Sequence, residues 1–320
     1  LHFIPLEALA RLDIMSGVDG DDAYRPELYD NAFPPRPVER GSRLVASVRG
    51  QSQVIVQMPR GNLEAFEPRA LLLARTRTLL EKAEPEYYLN CLKLLRKQRI
   101  DMNFIVDFLP HQFINIAADL VNLCLRENPD ALALLITSLT EENVVHTKYP
   151  SPIQMTLNRV TDENGNGNEE TLVKPLPYEP SEKVNRLCEC LREPLLKELH
   201  GGNAVALQPT LCTLAKQVPP LLEEALSAIE THLQSLSPSA NVNALLIGPK
   251  GQSQIKYLAF LADGNKLFDA AISMCNFQMA RAVARQCQMD PKVYLPLLEK
   301  LESRGLGKPI DSYEYADMRV

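Results

Sequence analysis

Pro85-Glu86-Tyr87-Tyr88-Leu89-Asn90-Cys91-Leu92-Lys93-Leu94-Leu95-Arg96-Lys97 reads as a single amphipathic helix. Tyr88, Cys91, Leu92 and Leu95 fall at i, i+3, i+4 and i+7, a stripe that must be buried against a neighbour. Pro85 stands where a first helical turn tolerates proline, and Arg96 and Lys97 complement the negative end of the helix dipole. The spacing recurs from Phe113 to Leu120, Leu132 to Leu139, Val184 to Leu191, Leu207 to Leu214, Leu222 to Ile229, Ile255 to Ala262 and Tyr294 to Leu301. Prolines 129, 209 and 291 open segments as Pro85 does, and Asp290 is a candidate cap for the last of them. Short connectors between segments of this length are those of antiparallel helix pairs.

No strict repeat with a fixed signature is present. Leu267, Ala270, Ala271 and Met274, followed by Phe277, Ala280 and Ala284, do place small residues where two helices can pack closely, as tetratricopeptide-like hairpins do. The fold class expected is therefore mainly α, a helical, tetratricopeptide-like solenoid, with an irregular bundle as the alternative. Local connectivity throughout favours the solenoid.

The first 58 residues differ in kind. Leu44, Ala46 and Val48, then Val54, Val56 and Met58, alternate around Arg49-Gly50-Gln51-Ser52, the pattern of an antiparallel hairpin. An isolated hairpin is marginal in water, so it needs partners outside this stretch. Residues 16–41 are polar and proline-rich and read as a long exposed loop. Residues 150–180, with Asn164-Gly165-Asn166-Gly167-Asn168 and five prolines, read as a loop inserted into the helical array of residues 59–320. Ser235 to Gly251 reads as a second, shorter break.

Composition narrows the class. Of 320 residues, 45% are hydrophobic and 23% charged, enough for a packed core and against global disorder. The formal net charge of -6 gives no overall pull towards nucleic acid or an anionic membrane. Tryptophan is absent and aromatics are 6%, which disfavours base-stacking platforms. Seven dispersed cysteines, an odd number set mostly among apolar helical positions, read as reduced thiols of a cytoplasmic or nuclear protein. There is no apolar run long enough for a membrane span and no signal-peptide pattern, and a start at Leu1 suggests a piece of something longer.

Catalytic constellations are lacking. Cys188-Glu189-Cys190 has too short a spacing for zinc and points its thiols to opposite sides of a helix. His2, His111, His146, His200 and His232 are scattered, without the pairing of a metal-binding helix. Gly248-Pro249-Lys250-Gly251 lacks the spacing of a phosphate loop and reads as an inter-helix turn. No catalytic, cofactor-binding or metal-binding residue is assigned. Candidate contacts to RNA phosphate or an acidic partner are Arg96, Lys97 and Arg99, with a second basic face at Arg281 and Arg285.

Five ordered segments carry a family resemblance. Gln57-Met58-Pro59-Arg60-Gly61-Asn62-Leu63-Glu64, with Pro68-Arg69-Ala70, resembles the family of the largest Elongator subunit, the IkappaB kinase complex-associated proteins. Arg99-Ile100-Asp101-Met102-Asn103, Ser138 to Val144 with Thr147-Lys148-Tyr149, Lys183-Val184-Asn185-Arg186-Leu187-Cys188, and Asp290 to Leu298 are similar to further segments of that family, in the same order. The insertion around Asn164 to Asn168 and the stretch from Gly17 to Arg40 have no counterpart in it.

The resemblance implies that residues 1–58 are the end of a second WD-type propeller and residues 59–320 the first part of its solenoid. It implies a non-catalytic scaffold of a complex that modifies wobble uridine 34 of tRNA. The partners implied are a radical S-adenosylmethionine and acetyltransferase-like catalytic subunit and a WD-repeat second subunit. Contact with tRNA would be indirect, and homodimerisation would use a C-terminal region not in this chain. The rival readings are an RNA-binding helical module and a propeller-solenoid trafficking or coat scaffold.

Overall fold

A computed structural model describes residues 3–4, 36–48, 50–149, 176–237 and 242–303. The loop expected at 16–41 lies outside the described residues up to position 35, and so does the insertion from 150 to 175. His2 lies outside them as well.

Three strands come first: β1 (Arg43–Ser47), β2 (Val54–Gln57) and β3 (Leu63–Phe66), antiparallel in that order. The hairpin forms where the alternation put it, but the strand region does not end at Met58. Gly61, at φ 91, reverses the chain so that Leu63 pairs with Gln57 and Phe66 with Val54. Four residues are too few to show a period, so β3 falls inside the stretch from residue 59 that the sequence assigns to the helical array. Burial also departs from the alternation. Val54 and Val56 are buried in the central strand, whereas all of β1 is exposed, Leu44 at 58%.

Helices follow without a further strand among the described residues. They are α1 (Arg69–Leu80), α2 (Pro85–Lys97), α3 (Asn103–Phe108), α4 (Pro110–Glu127), α5 (Pro129–Ser138) and α6 (Val144–Thr147). After the undescribed stretch come α7 (Lys183–His200), α8 (Leu207–Lys216), α9 (Leu222–Leu236), α10 (Val242–Ile247), α11 (Pro249–Leu261), α12 (Gly264–Ser273), α13 (Phe277–Gln286) and α14 (Pro291–Ser303). Short 3-10 turns at Pro180–Glu182 and Ala204–Ala206 lead into α7 and α8. The break expected from Ser235 to Gly251 therefore contains a helix. Gly248 and Pro249 occupy only the N-cap and first turn of α11, so these two helix breakers act as punctuation between α10 and α11.

The apolar stripes are the core. Tyr88, Cys91, Leu92 and Leu95 are fully buried, as are Leu132, Leu135 and Ile136, and Leu187, Cys188 and Leu191. The described residues fall into two compact units, one within 1–113 and 142–177, the other within 114–141 and 178–320. In the first, α1 packs on α2, and α3 on α6. In the second, α8 is the hub, touching α5, α7, α9 and α11, and α12 pairs with α13 through Ala271, Ala280 and their neighbours.

Candidate functional site

The five predicted contact residues separate into two groups. Arg96, Lys97 and Arg99 share the C-terminal end of α2 in the first unit, all three exposed. Arg99 sits in the left-handed region at φ 53, where the chain leaves the helix and the Ile100 N–H bonds back to the Leu95 carbonyl at 3.0 Å. Buried Ile100 and Met102 on one side and Leu95 on the other hold this corner. None of the three cations forms an ion pair among the described residues.

Arg281 and Arg285 lie on α13 in the second unit, but they are not equivalent. Arg281 makes a bidentate pair with Glu302, Nη1 at 2.6 Å and Nη2 at 2.7 Å, so its charge is already matched. Those hydrogen bonds push the guanidinium pKa up and hold the Glu302 carboxyl below its ordinary range. Arg285 stays exposed. As a phosphate surface, the second group thus comes down to one residue.

The family-like segments have structural work of their own in the side-chain geometry. Within Gln57 to Glu64, the Met58 N–H donates to the Asn62 carbonyl at 2.8 Å and the Gly61 N–H to that of Met58 at 2.9 Å, closing the β2–β3 turn. Asp101 and Thr147-Lys148-Tyr149 meet in the first unit. The Lys148 ammonium lies 2.8 Å from Asp101 and 3.2 Å from Glu142, and the Asp101 N–H donates to the Tyr149 phenol oxygen at 3.1 Å. The Tyr149 ring stacks edge-on to Phe104 at 5.9 Å and lies under the Arg69 guanidinium at 5.5 Å. Arg77 donates to the Tyr149 carbonyl at 3.1 Å. Asp107, buried, accepts from the first N–H of α6 at Val144, 2.9 Å away. This clasp was not legible, because its hydrogen-bonded partners stand 37 to 72 residues apart and its ion pair uses ordinary surface residue types.

In the second unit the analogous work is done at helix ends. Both carboxylate oxygens of Glu141 lie 3.3 Å from the Val184 N–H near the start of α7. Asn185 grips the loop after α8 twice, donating to the Val218 carbonyl at 2.7 Å and accepting from its N–H at 2.8 Å. Lys216 donates to the Thr137 carbonyl at the end of α5, 3.0 Å away. Asp290 caps α14 by accepting from Lys292 at 2.9 Å, as the sequence indicated.

The buried thiols are not poised for nucleophilic chemistry. Burial pushes the thiols of Cys91 and Cys188 up to about 12 and that of Cys212 up to about 11, so all three are protonated at neutral pH and are not thiolate nucleophiles. Cys188 is buried and Cys190 half-buried on α7, as the one-residue spacing required. Burial lowers the His232 pKa, and Lys250 lowers it further. Among the described residues no group of three or more His, Cys, Asp or Glu is placed to hold a metal ion. No helix among them is long and apolar enough to cross a membrane.

A family model described as "ELP1 alpha-solenoid" matches residues 69–301, from the first residue of α1 into α14. Elongator complex protein 1 of Oryctolagus cuniculus is 32% identical over 281 residues, covering 87% of this chain and 19% of the relative. The Schizosaccharomyces pombe protein of that name is 31% identical over 281 residues, 87% of this chain and 20% of its own length. That of Saccharomyces cerevisiae is 30% identical over 271 residues, 83% and 19%. The chain spans about a fifth of the length of these relatives.

Proposed function

The chain belongs to the Elongator complex protein 1 family, and we propose that it acts as a non-catalytic scaffold segment of an Elongator complex that modifies wobble uridine 34 of tRNA. One observation carries this reading. The segments that resemble the family supply turns, helix caps and clasps. Residues spent in this way fix the shape of a surface, and stacked helix pairs offer long rigid faces for partners.

The partners in this reading are the radical S-adenosylmethionine and acetyltransferase-like catalytic subunit and the WD-repeat second subunit, in the cytoplasm or nucleus. The exposed β1 edge fits the same reading, since a three-stranded sheet with Leu44, Val45 and Leu63 exposed leaves an edge and apolar residues that further propeller strands would cover. Co-expression with the catalytic and WD-repeat subunits tests it. Stoichiometric co-purification at moderate salt is the expected result, and a chain that elutes alone overturns it.

A second reading has one specific observation behind it. Arg96, Lys97 and Arg99 are three exposed cations on one fixed corner with no carboxylate partner among the described residues, a geometry suited to phosphate. Titration with tRNA at two salt concentrations distinguishes the two. Binding that weakens steeply with salt and is lost on replacing all three with glutamine supports direct RNA contact.

A further inference from the structure

In the second unit, the starts of α5, α8 and α11 border a cleft of about 550 Å3. Its walls are largely apolar, with Pro129, Leu207, Pro249 and the half-exposed Val205 among them. The volume is that of a site for a small molecule or a short peptide. Two polar residues of the lining lack their complement. Lys250 is exposed on the first turn of α11, a helix with no side-chain cap and no acidic residue there. A cation at the positive end of a helix is disfavoured unless an anion offsets it. Gln254, one turn on, has a buried Oε1 with no hydrogen-bond partner among the described residues, an acceptor without a donor.

The sign of the cleft is consistent. No carboxylate is among its lining residues, and the positive ends of α5 and α8 add to the charge of Lys250. Asp130, in the first turn of α5, offsets part of this field without lining the cleft. We infer that the cleft docks an acidic, aliphatic peptide segment of a partner protein. Its carboxylate would sit at Lys250 and the bare start of α11, its aliphatic side chains against Val205, Leu207 and Pro249, and a backbone N–H would meet Gln254 after rotation of the carboxamide. Nucleic acid fits less well, because the walls are apolar and a single lysine tracks no phosphate backbone. The inference rests on the scaffold reading and gives one contact of that scaffold its chemistry.

The test is fluorescence anisotropy of a labelled Gly-Leu-Asp-Leu-Glu-Leu-Gly peptide titrated with the whole chain. Saturable binding is expected. It should weaken about tenfold for the same peptide with Asn and Gln in place of its acids, and about tenfold for Lys250→Glu, the loss of one charge-assisted contact. Lys250 is at the surface, and an unchanged circular dichroism spectrum for the variant excludes misfolding as the cause. No binding, equal binding of the neutral peptide, or equal binding by Lys250→Glu overturns the inference. So does a short oligouridine RNA that competes as well as the acidic peptide, or a longer form of the protein whose own chain blocks the peptide. If the peptide fails while the chain still co-purifies with the catalytic subunit, the cleft alone is refuted. If co-purification fails as well, the scaffold reading falls with it.

Discussion

The first unit closes on one long return of the chain held by charge and hydrogen bonds, whereas the second adds to its helix-end hydrogen bonds two close approaches that depend on the absence of side-chain volume. In the first, residues 142–149 return to α3 from far along the chain and are held by Asp107, Asp101, Lys148 and the Tyr149 hydroxyl. In the second, helices sequential in the chain meet at glycine and alanine. A Cβ on Gly251 would stand 2.5 Å from the Leu245 carbonyl oxygen and 2.8 Å from Leu246 Cα, and one on Gly264 would meet Cys287 Sγ at 2.9 Å. A long-range closure needs directional bonds to select its partner, whereas neighbouring helices are already brought together by short connectors and need only room. The two units should therefore fail in different ways.

The largest effect should follow from filling that room. Gly251→Ala forces backbone apart between α10 and α11, and about 3 kcal/mol of stability should be lost, read as a lowered urea midpoint. Gly61→Ala is the contrast in the first unit. A Cβ there meets nothing within 4 Å, but φ is 91, so the cost of about 1 kcal/mol comes from the backbone alone. Equal losses at the two positions would remove volume as the distinction between the units.

Asp107→Ala should come next. It leaves the buried Val144 N–H without its acceptor, which costs about 2 kcal/mol. Amide hydrogen exchange should accelerate at residues 144–149 and stay unchanged along α8. Uniform acceleration over both units would show that the clasp supports more than its own unit.

This difference also explains what the sequence disclosed. Each helical stripe was legible because burial repeats within a dozen residues, so Leu187, Cys188 and Leu191 announce themselves without knowledge of their neighbours. The third strand was not, since Leu63 to Phe66 is too short for a period and takes its identity from pairing with Val54 to Gln57. Nor was α10, hidden by the proline and glycine of the following turn. The basic candidates were legible by type alone. Only tertiary structure separates Arg281, matched by Glu302, from Arg96, Lys97 and Arg99, because the partner lies on another helix.

A smaller effect of opposite sign is expected at helix exits. Arg99 in the first unit and Gln288 in the second adopt φ 53 and 54, in the left-handed region that favours glycine. Arg99→Gly and Gln288→Gly should each stabilise by about 1 kcal/mol in chemical denaturation, equally, because this strain is local and does not depend on what closes the unit. Gln288→Gly should leave tRNA binding unaltered. If the corner at the end of α2 meets phosphate, Arg99→Gly gains stability and weakens binding together.

The smallest effect should come from the surface part of the clasp, and its direction with pH is fixed. Burial pushes the Asp101 carboxyl up, but hydrogen bonds from Lys148 and Asn103 outweigh it and hold the group below the ordinary carboxylate range. Asp101 then contributes stability that is present above its unfolded value, about 3.9, and is lost as pH falls through the lower folded value. Lys148 shifts the other way, pushed up to about 12 by hydrogen bonds to Asp101 and Glu142. Its contribution is complete below the unfolded value, about 10.4, and is lost as pH rises from there through the folded value of about 12. Between these limits the clasp should be insensitive to pH, and high salt should weaken it slightly, as for any exposed pair. Lys148→Met should flatten the acid limb of the urea midpoint near Asp101 and abolish the salt effect, while the signals of the second unit stay fixed. An unchanged acid limb in that variant would mean that the Asn103 bonds alone depress Asp101, and that the first unit closes through Asp107 and Tyr149 without its ion pair.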